Sequence, residues 1–482
     1  MHFRHVVAVA WFGALVGGLF PLGAAPPISL HPDNPHYFLF RGEPTVLISS
    51  AEHYGAVLNL DFDYVTYLAT LARDKLNHTR VWTGGVYFEP QGAFNIARNT
   101  LAPAPGRFIS PYARSREPGF AGGGNKFDLS QWDPAYFKRL HSFMRHASRR
   151  GVVVEMNLFC PMYEEKEWLL SPYHPSNNVN RVGPVDRNGI YTLDQHGGLL
   201  LAEEILVQKI VQELADYDNL YYEVMNEPYA KNVPLDWQAH IAERIVQTEA
   251  AFAKRDTLER RRHLISLNIA NKSAKIQNPP PNISIFNFHY ATPPEAVDLN
   301  YHLNKVIGEN ETGFRGTNDA VYRTEAWDFL MAGGALFSHL DYSFVAGQEK
   351  GTFVYPAPQP GGGSVAFRKQ MRALHDFMSQ LDFVLMHPDN RILPAVPPGL
   401  SARALVQPGR VYAIYLHPAG ASPPAPVTSL QLELPAGHYR AEWIIPATGK
   451  EMRSESLRHR GGACTLAMPP LGEDVALLIR AH

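Results

Sequence analysis

An apolar run containing Tyr221, Tyr222, Val224 and Met225 stops at Asn226-Glu227-Pro228. Proline cannot donate to a sheet ladder, so a strand through this run ends there and carries an amide and a carboxylate at its tip. A carboxylate at the rim of a cavity can move protons on a bound substrate; the plainer alternative is a Glu that caps the next helix. A second acidic pair, Glu309 and Glu311, closes the β-type run at residues 305–311. Two carboxylates facing across a mouth suit acid/base work on a glycosidic bond: one is protonated to assist the leaving group, the other ionised to attack or to activate water. Glu52 and His53, Arg80, Asn157, His289 and Tyr290, and His339 and Asp341 also fall in or at the ends of β-type runs.

Bringing such distant residues together needs a scaffold. Runs of β character at residues 44–50, 77–82, 151–158, 221–225, 263–268, 283–290, 305–311 and 335–341 alternate with helical patterns. In residues 61–74, for example, Phe62, Val65, Leu68 and Leu71 recur at helical spacing. Repeated βα units predict a parallel sheet with right-handed crossovers, and eight units close a (β/α)8 TIM barrel of class α/β. A doubly wound open sheet is the alternative, but it gathers polar residues at one switch point, whereas here they follow nearly every strand. The barrel's active site is expected at the C-terminal strand ends. Long stretches at 84–125 and 161–198 read as functional loops. Past a helix at 367–383 the texture changes to short alternating runs at 411–416, 430–434, 439–444 and 475–479, separated by Pro and Gly, which predicts a small antiparallel β-sandwich. The expected domains are a barrel over 26–386 and a sandwich over 387–482, with the sandwich buttressing the barrel.

With 482 residues the chain exceeds what one core supports, in keeping with two domains. Its 44 Lys and Arg against 46 Asp and Glu give no reason to expect nucleic acid or an anionic membrane as partner. Cys160 and Cys464 alone make neither a disulfide framework nor a zinc site. Arg4 and His5 precede an apolar run over 6–20, followed by Pro21, Leu22, Gly23, Ala24 and Ala25, the layout of a secretory signal peptide over residues 1–25. The mature protein is therefore expected to be secreted or periplasmic and free of the membrane; an uncleaved anchor is the alternative. His289 has no companions at metal-ligand spacing, so neither metal nor other cofactor is expected.

Asn226-Glu227-Pro228, Arg80 within residues 77–82, His289-Tyr290 and Glu311-Thr312-Gly313 together resemble clan A glycoside hydrolases, particularly the cellulase- and mannanase-like members of family 5, over residues 30–385. The resemblance implies an oligo- or polysaccharide substrate and a retaining mechanism, with Glu227 as acid/base and Glu311 as nucleophile. Asn226 would bind the sugar 2-hydroxyl, Arg80 and Tyr290 would orient the nucleophile, and His289 would line the cleft. Glu309, two residues away, should share a face with Glu311 and sit one layer deeper, beside Arg80. Glu227 would need a raised pKa to hold its proton near neutral pH. Asn157 stands where many family members have His, and His339-Leu340-Asp341-Tyr342 replaces the usual Trp platform. Glu52 and His53 look like features of cellulase-like or apiosidase-like exported hydrolases. Glu52, His53, Asn157, His339, Glu309 and Trp168 complete the candidate sugar contacts. Structural roles compete for several: Arg80 as ion-pair partner of Glu155 or Glu309, and His53 and His339 as hydrogen-bonded wall residues. A barrel that binds carbohydrate without turning it over is the alternative function. An ester hydrolase lacks support, since no Gly-x-Ser-x-Gly elbow occurs.

Overall fold

The computed structural model describes residues 25–253, 262–420 and 428–482; the expected signal peptide falls almost wholly outside them. Eight parallel strands form the central sheet: β1 Leu47–Ala51, β2 His78–Trp82, β3 Val153–Phe159, β4 Leu220–Met225, β5 Ile265–Asn271, β6 Ile285–His289, β7 Val306–Thr312 and β8 Leu336–Leu340. Their order runs β1-β8-β7-β6-β5-β4-β3-β2. The ring closes between β1 and β2 through side chains as well as backbone: Asn77 N donates to Ile48 O, and Ile48 N to Asn77 Oδ1 at 2.8 Å. This is the expected barrel.

Helices α1 Tyr64–Arg73, α2 Pro134–Ser148, α3 Leu199–Leu214 and α4 Leu235–Ala253 follow the first four strands. Asp63 caps α1 by accepting from Val65 N and Thr66 N, and Asp133 caps α2 with Pro134 in the first turn. No helix separates β5 from β6 among the described residues; α5 Glu295–Asn300, α6 Asp319–Met331 and α7 Val365–Met378 follow β6, β7 and β8. Among the described residues no helix is long and apolar enough to cross a membrane.

The interior of the barrel departs from the usual layers of branched aliphatic residues. Arg80, Glu155, Glu223, Asn287 and Asn310 fill it, all fully buried. Asn310 Nδ2 donates to Glu155 Oε1 at 3.0 Å and Glu223 Oε1 at 2.8 Å, while Asn287 Nδ2 donates to Glu155 Oε1 at 2.8 Å. Buried charge is tolerated here because it is paired and hydrogen-bonded.

The C-terminal region is one hydrogen-bonded antiparallel sheet of β9 His387–Pro388, β10 Leu400–Gln407, β11 Val411–Pro418, β12 Ser429–Ile445, β13 Lys450–Ala467 and β14 Val475–Ala481. Its order is β9-β10-β11-β14-β12-β13. Alternation gives it two apolar faces. Tyr412, Ile414, Leu432, Trp443 and Leu477 form its own core, whereas Leu405, Tyr415, Ile444 and Leu478 join the barrel's. Tyr415 stacks on Trp327 of α6 with ring centroids 5.4 Å apart, and Arg323 Nε donates to Asp474 Oδ2 at 2.8 Å.

Candidate active site

Glu227 stands one residue beyond Asn226 at the tip of β4, with φ 38° and ψ 51°. Left-handed backbone is uncommon outside glycine and gathers at functional sites. Asn268 Oδ1 at β5 holds it by accepting from Glu227 N at 3.0 Å. No backbone N–H of the short 3-10 turn Pro228–Lys231 donates to the Glu227 side chain, so the helix-cap reading fails. Instead Glu227 Oε2 accepts from Tyr163 Oη at 2.7 Å, and Oε1 accepts from Tyr229 Oη at 3.2 Å and pairs with His289 Nδ1 at 3.0 Å. Asn226 lines the same cavity: its Oδ1 accepts from Arg80 Nη2 at 2.7 Å and its Nδ2 donates to Tyr163 Oη at 2.8 Å.

Glu311 faces Glu227 because β7 carries a β-bulge. Phe288 pairs with Glu309 but His289 pairs with Glu311, and on the other side Glu309 and Thr312 pair with Phe337 and His339. One extra residue is inserted, so Asn310 points into the barrel and Glu311 into the cleft above it. Glu311 Oε1 accepts from Tyr290 Oη at 2.9 Å; Oε2 accepts from Tyr54 Oη at 3.0 Å and Arg80 Nη1 at 3.2 Å. His289 Nδ1 lies 3.4 Å from Glu311 Oε1. Oxygens of the two carboxylates come within 4.8 Å of one another. Between them opens a cavity of about 210 Å³ walled by aromatic residues, among them Trp82, Phe94, Tyr163, Tyr290 and Phe314.

Arg80 joins the two halves. Its guanidinium pairs with Glu223, touches Asn226 and Glu311, and lies 4.7 Å above the Tyr54 ring. Arg80 makes both kinds of contact: Glu155 is 3.9 Å from Nε, while Nη1 reaches the cleft carboxylate of Glu311.

Several expected contacts lie elsewhere. Glu309 does not share a face with Glu311, because the bulge breaks the alternation; it is buried towards α6, accepting from Ala291 N at 2.7 Å beside Glu325, away from Arg80. Glu52 is fully buried as the anchor of the β1 turn, accepting from Gly55 N and Ala56 N at 3.0 Å and from Thr100 Oγ1 at 2.5 Å. His339 is buried against Tyr322 and Phe367, with Nδ1 3.1 Å from Ser50 Oγ. Trp168 is packed in the core beside His174 and offers a sugar no surface. Asn157 is buried inside the barrel, its amide without a protein partner among the described residues, and does not line the cavity. His53 and Tyr290 line the cavity, whereas His289 is fully buried behind it and reaches it only through its contacts with Glu227 and Glu311. Sequence reading missed Tyr54, Tyr163 and Tyr229, the hydroxyls that hold the two carboxylates, and Glu89, a third carboxyl in the cavity wall. Tyr54 directly follows the flagged Glu52 and His53, and Tyr163 sits in the flagged loop at 161–198; nothing in their spacing marked them.

The electrostatics overturn the expected raised pKa of Glu227. Burial pushes its carboxyl up, but the hydrogen bond and charge of His289, with the Tyr163 and Tyr229 hydroxyls, outweigh burial and hold it below the ordinary carboxylate range. His289 moves the other way: burial lowers it, yet the charges of Glu311 and Glu227 and the Glu227 hydrogen bond carry it above its usual value. The proton of the pair thus rests on the imidazole in the ligand-free arrangement. Burial also raises Glu89 to about 8 against the Asn99 hydrogen bond, and lowers His53 to about 3.

His289, without ligand companions in the sequence, does gain them in space: one ligand atom from each of Glu227, His289 and Glu311 falls within 4.8 Å of the others. The Arg80 cation on Glu311 and the tyrosyl hydroxyls on both carboxylates already occupy this set, which suits proton transfer and disfavours a bound cation.

No protein-family model and no curated protein matches the sequence. Solved structures do share its fold. A glycoside hydrolase superposes with a TM-score of 0.62 at 13% identity, covering 95% of this chain and 97% of its own. A glycoside hydrolase of family 5 from Bacteroides vulgatus gives 0.61 at 13% identity, with 94% and 93% covered. Barrel and C-terminal sheet thus occur together in both.

Proposed function

We propose that this protein is an exported, retaining glycoside hydrolase acting on an oligo- or polysaccharide, with Glu311 as nucleophile and Glu227 as acid/base. The observation that carries the reading is the pair of carboxylates, less than 4.8 Å apart at their nearest oxygens, on either side of an aromatic cavity. Double displacement requires carboxyl groups about 5–5.5 Å apart, whereas inversion needs about 6.5–9.5 Å to admit water. The bond from the anomeric carbon to the leaving oxygen breaks as a Glu311 oxygen bonds to that carbon and Glu227 delivers a proton to the departing oxygen. Glu227 then takes a proton from water, whose oxygen displaces Glu311 and releases the sugar. Arg80, Tyr54 and Tyr290 fix the nucleophile for attack. His289 keeps a proton within 3.0 Å of Glu227 and hands it over once substrate excludes water and the carboxylate becomes harder to charge.

Glu227→Gln and Glu311→Gln should fold and each lose about 10²–10⁴-fold or more in kcat. Azide added to Glu227→Ala should restore turnover of an activated aryl glycoside. A fully active Glu227→Gln contradicts the assignment. Binding of glycans without product release by the unaltered protein would support the non-catalytic alternative.

A further inference from the structure

The loops make the cleft into a pocket with one closed end. The segment after β2 folds back on the β1 turn so tightly that a Cβ at Gly55 would stand 2.1 Å from Thr100 O. It then crosses to the loop after β8: Asn95 Nδ2 donates to Pro358 O at 3.1 Å, Ala97 N to Gln359 Oε1 at 2.9 Å, and Arg98 to Ala346 O. The wall therefore spans the β8, β1 and β2 side of the mouth. In the strand order β8 stands directly across the ring from β4, which carries Glu227, and β1 is three strands from it. A proton from Glu227 goes to the leaving oxygen, so the leaving group lies on the β4 side and the sugar ring being transferred lies towards the wall.

Two polar groups in that wall face the cavity. Glu89 Oε2 accepts from Asn99 Nδ2; its Oε1 lies 3.7 Å from His53 Nε2, too far for a hydrogen bond, and has no other protein partner among the described residues. Both residues line the cavity. Their positions suit hydroxyl groups at the far edge of a ring seated over Glu311. The volume, about 210 Å³, is below the roughly 300–1,000 Å³ of pockets for larger ligands and suits a single sugar ring against the wall.

Resting on the hydrolase reading above, we infer that the enzyme is exo-acting: the closed end takes one terminal sugar residue, and Glu89 and His53 determine its specificity through that residue's outer hydroxyls. The test uses the full chain on 4-nitrophenyl α- and β-monoglycosides of the common hexoses and pentoses, on end-labelled oligosaccharides and on polysaccharides. Expected are turnover of at least one monoglycoside and release of single sugars from chain ends, with little early fall in polymer viscosity. Glu89→Ala should raise KM for the monoglycoside about tenfold or more, with a much smaller change in kcat; Glu89→Gln, which keeps the shape and the Asn99 bond, should fall between. Early loss of viscosity with oligosaccharide products overturns the inference and leaves the hydrolase reading standing. So does an unchanged KM in a folded Glu89→Ala. Hydrolysis of no glycoside at all removes both.

Discussion

On the proposed mechanism Glu227 and His289 share one proton, and this sets the expected pH behaviour. The pair loses its proton as pH rises through the elevated His289 pKa, and Glu227 is then an unprotonated base that cannot assist the leaving group. The alkaline limb of kcat/KM should therefore lie above the ordinary histidine value of about 6.5. In His289→Asn the store is gone and the proton must reside on Glu227 itself, so the limb should move to lower pH; an unmoved limb in that variant would show that His289 does not hold the proton. Glu89 gives a stability prediction of definite sign. Its folded pKa, about 8, exceeds that of an exposed carboxyl, so its contribution is full below about pH 4.5 and is lost as pH rises towards 8. Glu89→Gln does not titrate, so its melting temperature relative to the parent should rise by at least about 2 °C between pH 5 and pH 8. Thermal scans at the two pH values check this, and a constant difference would contradict it.

The bulge of β7 is what turns Glu311 into the cleft. Without it, simple alternation from Asn310, which points inward, would turn Glu311 towards the helices. Asn310 pins the bulge by donating to Glu155 and Glu223. Asn310→Ala should cost about 1–3 kcal/mol in denaturant unfolding by leaving two buried carboxylate oxygens short of a donor. It should also lower kcat at least about tenfold with little change in KM, because Glu311 shifts while the sugar-binding wall is untouched. Equal kcat in the variant would mean that the bulge stands without Asn310. This is also where sequence reading met its limit. Strand ends were legible, since Asn226-Glu227-Pro228 and Glu311-Thr312-Gly313 announce their carboxylates, and alternation located the eight strands. The same alternation misplaced Glu309, because it assumes an unbroken ladder and a bulge leaves no mark in residue types. Tyr54 and Tyr163 were invisible for a related reason: they reach Glu311 and Glu227 from other turns and loops, and only closure of the barrel brings them there, whereas Tyr229 is local, two residues past Glu227.

For the whole molecule, the C-terminal sheet acts on the barrel through α6. Trp327 stacks on Tyr415, and Arg323, almost fully buried, bonds Asp474 and Glu473. Glu325 of the same helix accepts from Thr312 Oγ1 of β7 at 3.0 Å, so the sheet backs the strand that carries Glu311 from outside. Arg323→Ala leaves Asp474 buried without its counter-charge and should destabilise the protein by about 3–5 kcal/mol. Calorimetry should show the loss, while the folded fraction keeps its KM. The turn from helical to alternating texture near residue 390 made the second domain readable; which helix it leans on depends on side-chain packing that no periodicity encodes.

The central claim is that Glu311, and not its neighbour Glu309, bonds to the sugar. A 2-deoxy-2-fluoro glycosyl fluoride slows both steps and forms the intermediate faster than water removes it, so the sugar stays on the nucleophile. Proteolysis and tandem mass spectrometry of the treated protein, across a set of such sugars, read the attachment site directly. The expected result is one glycosyl ester on Glu311, absent in Glu311→Gln. An adduct on Glu309 or Glu227, or hydrolysis of the parent sugar with inversion and no adduct, would contradict the account.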